Sequence, residues 1–217
     1  HEYFSIGDIS ISRNGRFMAW STDTSGEERY TARVKDLQTG DISQVSFAPS
    51  GFPNGPSFAP TVSTDGRYVC FTSWAQNLVP NDNNYGGDVF RYDTQTNAVI
   101  RVTLPYDGVE DQYDGSWGVT HSMTDDGRYI VFMSASNKHV SGDTNGHDDV
   151  FVRDMATGTT TLVSRTYSGG FANAGSMEPR IARNGRYVVF MSFATDIVSG
   201  ISTPAVRTYV RDLQSGT

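Results

Sequence analysis

The sequence predicts an all-β fold, a β-propeller whose four-stranded antiparallel blades number four in one chain. Three observations predict it. A tight turn feeding an apolar strand occurs four times, with turn glycines Gly15, Gly66, Gly127 and Gly185 spaced 51, 61 and 58 residues apart. A second turn, opened by an aspartate, follows each of the four. The two ends of the chain are complementary: the last unit lacks a final strand, and the first is preceded by a spare one. Periods of this length point to repeated supersecondary units, and radial repetition of four-stranded sheets is the propeller solution. A solenoid would need shorter units and polar end caps.

The first turn of each unit is Asn-Gly or Asp-Gly, as in Ser63-Thr64-Asp65-Gly66-Arg67-Tyr68 and Thr124-Asp125-Asp126-Gly127-Arg128-Tyr129. Both turn residues tolerate positive φ, so the pair is a strong hairpin signal. The strand that follows is a continuous apolar run, for example Tyr68–Ser73 and Tyr129–Ser134, which suits a strand packed on both faces. The second turn runs Asp36–Gly40, Asp93–Asn97, Asp154–Gly158 and Asp212–Gly216. Its aspartate can accept N–H bonds two residues on, and its last residue can take the left-handed conformation.

Each unit therefore reads strand A, turn, strand B, loop, strand C, turn, strand D. In the second unit the strands are expected near Thr61–Ser63, Tyr68–Ser73, Asp88–Asp93 and Val99–Thr103. In the third they are expected near Val119–Met123, Tyr129–Ser134, Asp149–Asp154 and Thr160–Ser164. The units span 7–47, 59–103, 118–164 and 179–217. The segment Glu2–Ile6 is expected to supply the fourth strand of the last unit and close the ring, removing its open edges. A monomer is the leading expectation, and a ring of several chains the alternative.

The chain has 217 residues and a formal net charge of −7. An acidic chain argues against nucleic-acid and anionic-membrane partners, which require a basic face. No apolar run is long enough to span a bilayer. The chain starts at His1 without a signal-peptide pattern, which reads as a mature fragment whose targeting segment has been removed. The single cysteine, Cys70, excludes an intramolecular disulfide and aligns with Ala19, Val131 and Val189, so it reads as a core thiol. The four histidines fall at unrelated repeat positions and show no zinc spacing. Arg16, Arg67, Arg128 and Arg186 follow every turn glycine, a regularity that implies a structural role. Arg91, Arg153 and Arg211 read as surface partners of the blades.

Two B–C loops are acidic and glycine-rich, Pro80–Asp88 and Ser141–Asp149. Asp82, Asn84 and Asp88 in one, and Asp143, Asn145 and Asp149 in the other, place oxygens at alternate positions. Such oxygens suit a hard cation, so Ca²⁺ is the candidate cofactor, although no bidentate Glu closes the loop as in an EF-hand. Turn caps and strand starts are the plainer reading of the same acids, with no cofactor required. The corresponding loops of units one and four depart from the pattern, with no acid in Ser199–Pro204. The D–A connections 48–59, 105–117 and 167–179 gather on one face around the axis, a usual place for ligands. The middle one carries Tyr106, Glu110, Asp111, Tyr113, Asp114 and Trp117, which suit a glycan or a cationic peptide. Solvated loop acids are the plainer reading, and glycoside hydrolysis would need two acids at a fixed separation.

From about residue 55 onward, the Asp/Asn-Gly-Arg-Tyr turn, the Val-Phe-x-Ser strand and the Asp-Val-Phe strands at Asp88 and Asp149 resemble the TolB-type propeller repeat. Residues 1 to about 46 resemble a propeller segment of oligopeptidase B, of the prolyl oligopeptidase family, through His1-Glu2-Tyr3-Phe4, Trp20–Tyr30 and Val34–Leu37. That family carries its serine, aspartate and histidine on a separate hydrolase domain, and no Gly-x-Ser-x-Gly elbow occurs in this chain. The resemblance therefore implies a propeller without hydrolase activity. It also implies a natural or engineered mosaic, extracytoplasmic (periplasmic or secreted) if natural. The function expected is a non-catalytic scaffold or binding module, the alternative a calcium-stabilised propeller that binds a glycan or peptide.

Overall fold

A computed structural model of the chain describes residues 3–49, 51–109 and 121–217. Fifteen strands and no helix occur among them. Blade 1 is β1 (Ser5–Ile11), β2 (Phe17–Asp23), β3 (Thr31–Asp36) and β4 (Ile42–Gln44). Blade 2 is β5 (Ser57–Val62), β6 (Tyr68–Ser73), β7 (Asp88–Asp93) and β8 (Ala98–Arg101). Blade 3 is β9 (His121–Met123), β10 (Tyr129–Ser134), β11 (Asp149–Asp154) and β12 (Thr159–Leu162). Blade 4 has three strands, β13 (Ser176–Ile181), β14 (Tyr187–Ser192) and β15 (Arg207–Asp212). All pairings are antiparallel between sequence neighbours, so each blade is a meander.

The turn chemistry builds the A–B hairpins as the sequence implies. Gly66 and Gly127 take φ of 76° and 69°, and Asp65 and Asp126 each accept the N–H of the following arginine at 3.0 Å. That arginine then reaches across the blade to the aspartate ending strand C. The bracket recurs in every blade: Arg16–Asp36 at 2.7 Å, Arg67–Asp93 at 3.0 Å, Arg128–Asp154 at 2.9 Å and Arg186–Asp212 at 2.8 Å. Each guanidinium also lies 4.8 to 5.0 Å from the centroid of the next aromatic ring, Phe17, Tyr68, Tyr129 or Tyr187. Hydrogen bonds from the arginine, first, hold the Asp36, Asp154 and Asp212 carboxyls down at about 2.

Three apolar clusters lie at the three junctions between blades. One joins Val34 to Val69 and Phe71, another Cys70 and Val89 to Ile130 and Phe132, and a third Val131 and Val152 to Ile181 and Val188. Strands B and C stack a ring pair in blades 2 to 4: Phe71 with Phe90, Phe132 with Phe151, and Phe190 with Tyr209, at 5.6 to 5.7 Å. Cys70 is fully buried, and burial pushes its thiol pKa up.

Ring closure by the N-terminus is corrected. Ser5 and Ile6 pair with Asp23 and Thr22 of β2, not with β15. The supposed spare strand and strand A are one strand, because a register shift between Ile6 and Ile9 lets β1 bend without breaking. Arg91, Arg153 and Arg211 are also corrected. They are not surface groups: Arg91 stacks on Tyr68 at 4.3 Å and donates to the carbonyl of Gly127 in the next blade. Arg211 is 8% exposed and donates to the Val163 carbonyl at 3.1 Å, and half-buried Arg153 donates to Thr160 Oγ1 at 2.9 Å.

Candidate functional site

The side chains that differ between blades gather where strand C begins. In blade 2 the loop folds back so that Asp82, Asn84 and Asp88 come together, each at most 6% exposed. Asn84 Nδ2 donates to Asp88 Oδ2 at 3.0 Å, and Thr103 Oγ1 donates to Asp88 Oδ1. The Val89 N–H donates in turn to Thr103 Oγ1 at 3.1 Å, which ties strand C to the segment after β8. Into this box β8 projects Arg101. Its Nη1 lies 3.0 Å from Asp82 Oδ1 and 3.5 Å from Asp88 Oδ2. Burial and then the Asp88 charge push Asp82 up to about 7, with Arg101 pulling the other way. Burial raises Asp88 as well.

Blade 3 repeats the box with a serine for the threonine and without the cation. Asn145 Nδ2 donates to Asp149 Oδ2 at 2.8 Å and Ser164 Oγ to Asp149 Oδ1 at 2.6 Å, with the Val150 N–H on Ser164 Oγ at 3.0 Å. Asp143 accepts the Asn145 N–H at 3.4 Å. In register terms Arg101 stands opposite Phe90, and Leu162 stands opposite Phe151. The third box thus has the same oxygens and a leucine where the second has its guanidinium. Burial pushes Asp149 up to about 6 and raises Asp143.

Both sets of expected metal ligands are therefore brought together, but the second unit already holds a cation of its own in Arg101. Among the described residues no group of three or more His, Cys, Asp or Glu is placed to hold a metal ion. In blades 1 and 4 the residue at the start of strand C is Thr31 or Arg207. Asp23 instead folds onto its own loop, accepting from the Ser25 and Glu28 N–H groups at 2.8 and 2.9 Å.

Of the expected ligand-binding residues, Glu110, Asp111, Tyr113, Asp114 and Trp117 lie outside the described residues. Tyr106 is 52% exposed, and its N–H donates to the Lys138 carbonyl at 2.7 Å. Next to it Asp107 pairs with Lys138 Nζ at 3.1 Å, which fastens the D–A connection to blade 3. A groove of about 920 Å³ runs beside this connection, lined by Val79, Pro80, Ile100, Leu104 and Pro105.

Sequence reasoning missed Arg101. It sits at the end of a short strand with no recurrent counterpart, and only the register of β8 on β7 places it in the box. It also missed His121 and His139, buried and held neutral, each with a pKa lowered to about 4 by burial. His139 packs edge-on against Phe132 and Phe151 at 5.0 and 5.1 Å.

Residues 1–174 match the family described as the prolyl oligopeptidase N-terminal β-propeller domain. That match runs across residue 50, so it takes in the first resemblance seen in the sequence and the second as far as residue 174. A curated relative, dipeptidyl aminopeptidase BI of Pseudoxanthomonas mexicana, is 39% identical over 41 residues, 19% of this chain and 6% of that protein. TolB of Acinetobacter baumannii superposes over the whole chain and 42% of its own, at 18% identity and a TM-score of 0.57. A puromycin-hydrolysing peptidase of Mycobacterium tuberculosis superposes over 98% of the chain and 28% of its own, at 13% identity and a TM-score of 0.60. At these identities the structural likeness shows the fold. The chain spans less than half the length of each of these relatives.

Proposed function

The chain belongs to the prolyl oligopeptidase N-terminal β-propeller family, and on that premise we propose that it is a non-catalytic scaffold that presents its loops for binding. One observation carries this reading. The charged residues that recur in every blade are spent on one another, as four arginine–aspartate brackets. Recognition is left to the loops, which differ from blade to blade. The absence of a Gly-x-Ser-x-Gly elbow from the sequence supports a role without acyl transfer. An engineered mosaic is not needed for this reading, since one family accounts for the span across residue 50. The test is a broad panel of peptidase, esterase and glycosidase substrates. No turnover is expected, and turnover that co-purifies with the chain refutes the proposal.

A second reading, a propeller that binds a glycan or peptide, is favoured by the groove beside the Pro105–Val109 connection. Mixed glycan and peptide arrays separate the two: a hit abolished by Leu104→Glu supports the groove, and silence supports the bare scaffold. Within either reading, Ca²⁺ is proposed only for the third box, where Leu162 leaves Asp143 and Asp149 without a guanidinium. A site of this kind, with few charged ligands, falls in the range of extracellular modules, about 10⁻⁴–10⁻³ M. An extracytoplasmic location, periplasmic or secreted, goes with it. Millimolar Ca²⁺ should raise the melting temperature of the wild type and leave Leu162→Arg unmoved. No shift in the wild type ends the metal reading.

A further inference from the structure

We propose that the junction between blades 3 and 4 holds a site for a guanidinium group, carried by an arginine side chain of a peptide or by a small free compound. The repeat supplies its own template. At each junction inside the chain, the aromatic residue after the turn arginine lies over the turn glycine of the next blade. A Cβ on Gly66 would overlap the ring of Phe17, one on Gly127 the ring of Tyr68, and one on Gly185 the ring of Tyr129. The carbonyl of that glycine then calls for a donor. Between blades 1 and 2 the Gly66 carbonyl accepts from Thr94 Oγ1 at 3.2 Å. Between blades 2 and 3 the Gly127 carbonyl accepts from Arg91 Nη1 at 2.9 Å. Between blades 3 and 4 none of the described residues donates to the Gly185 carbonyl.

Both of the residues that supply those donors are replaced at the third junction. Val152 stands opposite Val131 as Arg91 stands opposite Cys70. Leu213 follows Asp212 as Thr94 follows Asp93. Where the donors would reach lies a cavity of about 470 Å³, lined by Tyr129, Val152, Gly185, Leu213 and two threonines of β12. Those threonines, Thr159 and Thr161, stand where β8 has Ala98 and Ile100. Blade 3 thus gives up the long cation of blade 2 and gains two hydroxyls beside the space that cation would fill.

The occupied junction shows which chemistry fits. Tyr68 carries two guanidiniums, Arg91 at 4.3 Å from the ring centroid and Arg67 at 4.8 Å. Tyr129 carries one among the described residues, Arg128 at 4.8 Å. A second guanidinium on Tyr129 would meet a π-face, the Gly185 carbonyl and two threonine oxygens, which a planar cation with five N–H donors can use together. The charged residues of the lining, Asp154 and Arg186, are each held by a bracket partner, and their charges balance. The cavity shares no residue with the groove beside Pro105–Val109, so the proposal stands apart from the reading of that groove.

NMR titration of the whole chain tests the proposal, with ethylguanidinium and N-acetyl-arginine methylamide as probes and N-acetyl-citrulline methylamide as the uncharged control. Both guanidinium probes should shift the Gly185 amide and the Tyr129 ring saturably and leave the Gly127 amide and the Tyr68 ring in place. The citrulline control should shift neither. Tighter binding of the blocked arginine supports a peptide as the source, and tighter binding of ethylguanidinium a free compound. Val152→Arg returns the donor that blade 2 uses and should abolish the shifts. Val152 is buried, so Leu213→Thr, at a half-buried turn position, is the second variant; it returns the donor that Thr94 provides and should weaken binding by about tenfold. No saturable shift with either guanidinium probe overturns the proposal. So does an equal shift with the citrulline control, or binding that Leu213→Thr leaves unchanged.

Discussion

The two acidic boxes are a matched pair that differ in charge at one position, and Leu162→Arg transplants the difference. In the wild type, burial lifts the Asp149 carboxyl from 3.8 to about 6. A group whose folded pKa is raised holds its proton more tightly folded than unfolded. Its contribution is fully present below the unfolded value and is lost as the pH rises through the folded one. Two pKa units at 1.36 kcal/mol each set that loss at about 3 kcal/mol between pH 4 and 7. A guanidinium at 162, standing where Arg101 stands in blade 2, should favour the ionised carboxylate and offset part of the loss, as Arg101 pulls against burial at Asp82 and Asp88 while both stay raised.

The assay is urea unfolding at intervals from pH 4 to 7.5 in the presence of a chelator, for wild type and variant. The quantity to read is the difference between the two curves. Other groups titrate in the same window: His121 and His139, lowered to about 4, are depressed in the folded state and so lend stability that is lost as pH falls. They occur in both proteins and cancel in the difference. Lost leucine packing would shift the variant curve down by about 1 kcal/mol at every pH without changing the slope. The expected result is a difference that moves by about 1 kcal/mol in the variant's favour from pH 4 to 7. Parallel curves would refute the argument, since Asp149 would then carry no burial penalty for an arginine to relieve.

Three further outcomes follow from the repeat. Gly127→Ala should cost about 2–4 kcal/mol, the sum of a left-handed alanine and an overlap with the Tyr68 ring of the preceding blade, whereas Gly108→Ala, with open space around it, should cost about 1–2 kcal/mol; equal values by denaturant titration would mean that the Tyr68 ring does not pack over Gly127. Arg128→Ala should free the Asp154 carboxyl to rise from about 2 toward its ordinary value. The bracket's stability is present above the unfolded pKa and fades as pH falls toward 2, so the variant should lose its difference from wild type in acid; a carboxyl that stays near 2 by NMR titration would mean the turn amides alone hold it. Cys70 should resist a thiol reagent until the chain unfolds, because it is wholly buried with a raised pKa. Reaction at the rate of a free thiol in the native state would contradict the core placement.

The parts of the fold that the sequence made legible are those set by local chemistry. Asx-Gly turns placed β6 and β10, and the aspartate-opened second turns β7 and β11, residue for residue, since a turn residue with positive φ leaves little freedom in where a strand starts or ends. What was not legible depended on which strand pairs with which. Ser5 and Ile6 look the same in sequence whether they lie on β2 or on β15, and only the bulge between Ile6 and Ile9 decides. Arg101 and Leu162 likewise read as ordinary residues of short outer strands. Their opposite effects on two near-identical boxes emerge only from register, because each lies on the strand paired with the one its acid opens.

That contrast separates what the blades share from what they do individually. Strand C of blades 2 and 3 begins and ends on an aspartate, and the two ends are treated oppositely. At the far end Asp93 and Asp154 lie near the surface, paired with arginine, and their carboxyls are lowered. At the near end Asp88 and Asp149 are buried, and their carboxyls are raised. The lowered acids occur in all four blades and fix the meander, so they belong to the fold. The raised acids occur in two blades and differ in what neutralises them. An acid that burial holds near neutral pH is poised to exchange its proton for another cation at small cost, which is why the box of blade 3, rather than the recurrent brackets, is where a difference between this chain and a bare scaffold should first be measured.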